Sequence, residues 1–500
     1  MRRLALVMLL VTAAGPVAVT AAGPAAAQPV TVPAPDFDDD GLGDLAVGVP
    51  GEDAGGAANA GAVAVRYGSA GGPAPDGQVL LQGAGGVPGA SEAGDRFGAA
   101  LVTGQFNADA YADLAVGVPG EDVGGDGDAG AVVLLFGSAG GLGGGRLLTQ
   151  ANPEPGDRFG FSLATGELTD ADQLLVGAPG EDVRSVTDAG AVSLVSRPAS
   201  APDEELLWQG VAGIVGTAEP SDAFGSALAV GEFNSSDAID SLAVGAPGED
   251  VGDVADAGVV NVRYAPGFGG PAGPRQLTHD RPEPGDRFGA ALADGILAVG
   301  GYADLAVGAP GETVAGRAGA GAVSLVLSGD AGFSGAGGQL FHQGAAGVPG
   351  AAEAGDGFGT AVAVGAFGDG GNALAVGAPG EDVGTAADAG VLDVLYNSDS
   401  GLGGGGRQQL TQADAAGAVE PGDRFGAALS APFLHENDVL EDLGVGAPGE
   451  TVGGRAGAGA VSVLFGAGTT GLGGAELLYQ GTGGLGGAAE AGDGLGAALG

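Results

Sequence analysis

The chain of 500 residues carries 62 acidic against 16 basic side chains, a formal net charge of −46. Such a balance, with no basic stripe, excludes nucleic acid and anionic membrane as electrostatic partners and favours divalent cations. Cysteine is absent, so no disulfide supports the fold, and 109 glycines with 28 prolines would indicate a disordered chain unless they recur with a period.

Residues 1–27 read as a secretory signal. Arg2 and Arg3 precede an apolar run from Leu4 to Val11, and Ala25-Ala26-Ala27 forms a small-residue cleavage site. Residues 28–35 are a short linker, and the folded body is expected over 36–500. No later stretch is long and apolar enough for a membrane span, which predicts a secreted, soluble, monomeric product.

The body opens on Asp36-x-Asp38-x-Asp40-Gly41-x-x-Asp44. Oxygen ligands at alternate positions, with a glycine where the chain turns back, suit a hard cation wrapped by a short loop. The twelfth position, where a helix-loop-helix calcium site has its bidentate Glu, is Val47, and the flanks are short and β-branched. The spacing therefore predicts a Ca2+ loop between strands; an acidic turn is the competing reading.

Directly after it comes Leu-Ala-Val-Gly-Val-Pro-Gly-Glu, residues 45–52, and the same proline recurs as Pro50, Pro119, Pro179, Pro247, Pro310, Pro379 and Pro448, at spacings of 69, 60, 68, 63, 69 and 69. A second marker, Asp-x-Phe-Gly, precedes each unit after the first, with Phe97, Phe159, Phe224, Phe288, Phe358 and Phe425; the final copy has Asp493 and Leu495. Within residues 95–150 four short apolar runs stand between Gly/Asp clusters: 97–103, 114–118, 131–136 and 146–150. Helical periodicity is lacking, so seven four-stranded units predict an all-β fold, either a radial propeller or a linear array. The ends favour the ring. The first unit has no Phe-Gly strand, and residues 493–500 are a Phe-Gly-type strand with no unit to follow, so pairing it into the first blade would close the propeller without open sheet edges.

With these two markers in seven copies, the chain from about Asp36 to Gly500 resembles the seven-bladed FG-GAP β-propeller of integrin α subunits. It is similar also to the propeller of glycosylphosphatidylinositol-specific phospholipase D. The resemblance implies calcium loops joining the first and second strands of some blades, with ligands bound on the opposite face. It assigns Asp36, Asp38, Asp40 and Asp44 as Ca2+ ligands together with the Leu42 carbonyl. Degenerate versions stand in blade two (Gln105, Asn107, Asp109, Asp113), blade four (Glu232, Asn234, Ser236, Asp240) and blade seven (Glu436, Asp438, Asp442). The other three blades have too few oxygens, as at Gly300 and Ala373.

Catalytic signals are missing. His279, His342 and His435 occupy unlike positions in their units, and neither a nucleophile elbow nor a phosphate loop is present. The Glu after each Pro-Gly reads as a structural or solvated group, and the Arg of Asp-Arg-Phe-Gly (Arg96, Arg158, Arg287, Arg424) as a surface partner to its neighbouring Asp. The Asn234-Ser235-Ser236 sequon offers a glycosylation site. The expectation is a non-enzymatic, calcium-binding adhesion module for an extracellular protein or glycan. Its binding face would carry the loops after Pro-Gly-Glu with their Glu-Asp pairs. A hydrolase-associated propeller and a passive matrix or envelope protein are the alternatives.

Overall fold

The computed structural model describes residues 35–500 apart from 69–76, 169–172, 212, 235–238, 265–272, 299–300, 334–337, 346, 399–400, 405, 433, 435–439, 469–470 and 483–484. The proposed signal and nearly all of the linker lie outside the described residues, as do Ser236, His435, Glu436 and Asp438. Among the described residues the named elements are all strands, arranged in seven four-stranded antiparallel sheets, each a meander in chain order apart from the closing strand of the first. No described helix is long and apolar enough to cross a membrane.

Blade two shows how the repeat folds. Its strands are Ala100–Gly104, Asp113–Val118, Ala131–Phe136 and Gly143–Leu148. Every residue of Asp113–Val118 is buried, and so are all but the last of Ala131–Phe136, because neighbouring blades cover both faces of the middle strands. Such strands read as continuous apolar runs rather than alternating ones, which is why Leu-Ala-Val-Gly-Val/Ala recurs.

The outer limits of the blade differ from the sequence reading. Phe97 and Gly98 precede the first strand, and Phe97 instead makes a parallel bridge with Gly61 of the preceding blade, its amide donating to Ala60 O at 2.9 Å. The FG residues are thus joint pieces. A Cβ on Gly48, in the preceding blade, would collide with the carbonyl oxygen of Gly98, and one on Gly117 with that of Gly160. The two glycines of the repeat therefore permit a backbone approach between blades that no other residue allows. The phenylalanine fills the space beside it: Phe97, Phe224, Phe358 and Phe425 are wholly buried, as is Leu495 in the last copy.

Arg96 and its equivalents do not form the expected ion pairs. Arg96, Arg158, Arg287 and Arg424 all have φ between 56° and 58°, and Ala223, Gly357 and Gly494 share the position at φ 54°, 63° and 62°. Their amides donate to the preceding loop, as Arg96 N does to Asn59 O at 3.1 Å, so the position serves the backbone path. Among the described residues the ion pairs are Arg66–Glu476, Arg263–Glu205 and His279–Glu312.

The ring closes as the repeat count predicts. Ala498–Leu499 pairs with Leu45–Val49 in the register Val47↔Leu499 and Gly48↔Ala498, giving the first blade its fourth strand. Gly496 N donates to Gly48 O at 3.1 Å and Gly500 N to Ala46 O at 3.2 Å. The seven first strands touch one another in sequence, with Ala498–Leu499 in contact with both Leu429–Ser430 of blade seven and Ala100–Gly104 of blade two.

Candidate functional site

The loop before the second strand of blade one is the calcium candidate. The Asp36 carboxylate accepts the amides of Asp40 (3.1 Å) and Gly41 (2.9 Å), and Asp40 accepts that of Leu42 (2.9 Å). Gly41 at φ 89° and Asp39 at φ 57° turn the chain tightly. Side-chain oxygens of Asp36, Asp38 and Asp40 converge to within 4.8 Å of one another. Asp38 Oδ1 is buried and has no hydrogen-bond partner, and burial with the charges of its three acidic neighbours raises the Asp38 pKa. An orphaned buried carboxylate oxygen among like charges is what a cation would satisfy, so the donor set fits Ca2+.

Asp44 sits apart from that group. It is fully buried; Oδ2 accepts the amide of Phe37 at 2.7 Å and Oδ1 that of Gly68 at 2.8 Å, so it ties the first loop of the blade to the loop after the third strand. Burial pushes its pKa up to about 7. Asp113 makes the same latch in blade two, to Phe106 and Asn107 on one oxygen and Gly137 on the other, and Asp304 does so in blade five. A recurring Asp at this point in the sequence is therefore a latch whether or not its blade has other ligands.

In blade two the loop closes on its own side chains. Asn107 Nδ2 donates to Asp109 Oδ2 at 2.8 Å, Asn107 Oδ1 accepts the Asp109 amide, and Gln105 Nε2 donates to Tyr111 O. An amide NH2 occupies the role of a cation there. In blade four Glu232 is exposed and Asn234 buried, while Asp240 Oδ2 accepts the Glu167 amide of blade three at 2.9 Å. Asp442 of blade seven accepts the Gly466 amide at 3.1 Å.

A larger constellation was only half visible in the sequence. In six of the seven blades a Gln at the end of the fourth strand donates its amide to the Pro-Gly-Glu carboxylate of the next blade. The pairs are Gln82–Glu121 (2.7 Å), Gln150–Glu181 (2.8 Å), Gln209–Glu249 (2.6 Å), Gln343–Glu381 (3.0 Å), Gln412–Glu450 (2.6 Å) and, across the closure, Gln480–Glu52 (2.7 Å). The Asp of Asp-x-Phe-Gly stands beside each Glu and caps its own turn, as Asp157 does by accepting the Glu154 amide at 2.6 Å. Burial, then nearby carboxylates, push Glu121, Glu181, Glu381 and Glu450 up to about 7 and Asp95, Asp157 and Asp423 up to about 6. The Asp that follows five of the seven Glu residues also accepts a loop amide: Asp122 Oδ1 accepts that of Asp128 at 3.0 Å, and Asp53, Asp182, Asp250 and Asp382 do the same in their loops. The Glu of each pair is thus drawn into the joint, while Asp53, Asp122, Asp250 and Asp382 stay exposed as they hold their loops. The same loops also expose Asp128, Asp188, Asp256 and Asp388, each at φ between 49° and 52°.

Comparison with known proteins agrees with this architecture. The FG-GAP repeat model matches residues 29–65, 97–135 and 301–326. The protein named Integrin alpha-PS2, from Drosophila melanogaster, is 32% identical over 226 residues, covering 42% of this chain and 15% of that relative. The chain is an integrin-α-like FG-GAP propeller. It spans a small part of that relative's length, so the relative's wider activity is not transferred with the fold. Within the propeller the motif names describe the joint: FG supplies the buried ring and the first close glycine, GAP the second glycine, and the Glu that follows supplies the carboxylate that the neighbouring Gln holds.

If the first loop holds calcium, Asp38→Ala is expected to abolish most of the calcium-dependent rise in melting temperature. Extracellular sites of this kind bind at roughly 0.1–1 mM, so tenfold excess calcium contributes about 1.4 kcal/mol. Differential scanning calorimetry with and without chelator measures it, and a shift retained in full by the variant places the metal elsewhere.

Proposed function

We propose that the chain is an exported, calcium-stabilised propeller acting as a non-catalytic binding module of the adhesion type, for an extracellular protein or glycan. The observation that carries this reading is the ring of exposed carboxylates at Asp128, Asp188, Asp256 and Asp388, repeated blade to blade on the face opposite the Asp36 loop. Loops after the second strand and the blade connections leave one side of each meander, and the first loops leave the other. With the Glu of each Pro-Gly-Glu held in a joint, this ring, the exposed Asp53, Asp122, Asp250 and Asp382, and the exposed Glu92, Glu154, Glu219, Glu283 and Glu353 of the connections give that face its negative field. Such a field suits a cationic or metal-bridged partner.

The test uses a glycan array and immobilised Arg/Lys-rich peptides in calcium. Replacing Asp128, Asp188, Asp256 and Asp388 together by Asn should weaken binding at least tenfold while leaving the melting temperature within about a degree. Asn tolerates the left-handed conformation, and blade one already carries Asn59 at φ 52° in the equivalent place. Unchanged affinity moves the binding site to the other face.

A further inference from the structure

Of the seven blade joints, the one between blades four and five is built differently. Where the other six put a Gln amide against the carboxylate of the next blade, this one has His279, facing Glu312 and Asp286. All three are buried: His279 is 7% exposed, Glu312 8% and Asp286 not at all. His279 Nδ1 lies 3.1 Å from the carbonyl oxygen of Arg281 and 3.4 Å from Glu312 Oε2. A neutral imidazole has one N–H, and the nearer acceptor at Nδ1 is the Arg281 carbonyl.

That leaves the joint short of donors. Asp286 Oδ2 accepts the Glu283 amide, but Asp286 Oδ1 and Glu312 Oε2 are both buried with no hydrogen-bond partner. Two orphaned carboxylate oxygens beside an imidazole, in a site shielded from water, call for a positive charge. Ligand atoms of His279, Asp286 and Glu312 already lie within 4.8 Å of one another. Tetrahedral bonds of about 2.1 Å hold ligand atoms about 3.4 Å apart, so a closure of at most about 1.4 Å, within reach of side-chain rotation, completes the site.

We propose that His279, Asp286 and Glu312 form a binding site for a divalent transition-metal ion of the zinc class. The imidazole decides the class: calcium seeks six to eight oxygens and magnesium keeps a largely aqueous octahedron, whereas one nitrogen and two carboxylates suit zinc and its neighbours. Three protein ligands leave a position open. His279 and Glu312 also line a cavity of about 360 Å³, with Thr278, Thr313, Ser324 and Leu340 on its wall, which has room for a water or a small oxygen-donor ligand there. His279 ends blade four, whereas Asp286 and Glu312 belong to blade five, so the ion would cross-link two blades. This assignment is independent of the calcium loop and of the binding face.

The test uses the full chain, stripped with chelator and returned to millimolar calcium so that the Asp36 loop is not competing. Zinc is titrated by calorimetry and cobalt by its visible absorption. The wild-type chain is expected to take up one zinc with a rise in melting temperature, and to give a cobalt spectrum of low coordination number. His279→Gln installs the residue found at the other six joints, so it should fold as before, lose the cobalt band and bind zinc at least tenfold more weakly. Glu312→Gln should do the same. Absence of a saturable zinc site in the wild-type chain overturns the proposal, as it would if the two carboxyls merely share a proton; so does an affinity unchanged by His279→Gln, which would mark zinc held by the acidic surface.

Discussion

Removal of Asp493–Gly500 is expected to destabilise the propeller by about 5 kcal/mol or more. The deletion takes away the buried Leu495, the backbone bonds of Gly496 and Gly500 to blade one, and Asp493, which lies beside Glu52 at the closing joint. Loss of a large buried aliphatic side chain alone costs about 2–5 kcal/mol, and each hydrogen bond adds about 1 kcal/mol. It also uncovers the edge of Leu45–Val49, a strand buried along its whole length. Thermal melting and size-exclusion chromatography read both effects: a lower midpoint, and loss of the wild-type peak to aggregates. A deletion variant with the wild-type melting curve and elution volume would mean that the ring is held shut elsewhere.

The second large effect is an unusual pH dependence. Carboxylates at the joints are shifted upward by burial, to about 7 at Glu121, Glu181, Glu381 and Glu450, from an unfolded value near 4.5. Between those two values the folded chain holds more protons than the unfolded one. Stability is therefore greatest in mild acid and falls as pH rises through about 5 to 8, opposite to the trend for salt-bridged carboxylates. Each joint retaining one extra proton contributes a slope of about −1.4 kcal/mol per pH unit, and the sum over joints is a ceiling because the joints relax as they ionise. At the Glu121 joint the facing groups are the Gln82 amide, which favours the anion, and Asp95, Glu92 and Asp122, which oppose it. Glu121→Gln removes a buried ionisable group while keeping an acceptor for Gln82. It is expected to raise the melting temperature at pH 8, at fixed free calcium, and to have little effect at pH 5. Equal effects at the two pH values would show that Glu121 is not the group being titrated.

The contrast between fold and site shows what a sequence of this kind makes legible. Seven prolines and seven Phe-Gly-type markers fixed the blade count and the closure of residues 493–500 onto Leu45–Val49, because close backbone packing admits only glycine and leaves a periodic trace. The joints were less visible. Gln82 and Glu121 stand 39 residues apart, and Gln480 and Glu52 are separated by 428, so no local pattern connects them. The recurring Glu therefore reads equally well as a solvated loop charge until the next blade is placed beside it. Arg96 misled for the reverse reason: a charged side chain next to Asp95 suggests a pair, whereas its φ of 58° shows the backbone to be what the position constrains. The Asp36 loop lies between these cases, with its first three carboxylates converging as the spacing implies and Asp44 drawn off to latch two loops.

The closing strand is short, only Ala498–Leu499 in the sheet, and it comes from the far end of the chain. Its hold on blade one is thus an intramolecular binding reaction, favoured by an effective concentration in the millimolar range for a tethered segment. A tail released from one molecule meets the vacant edge of another on equal chemical terms. As protein concentration approaches that effective value, exchange of tails between molecules competes with self-closure. Because donor tail and acceptor edge are different surfaces, such exchange propagates head to tail, and the same eight residues that seal a single ring set the concentration at which rings begin to link.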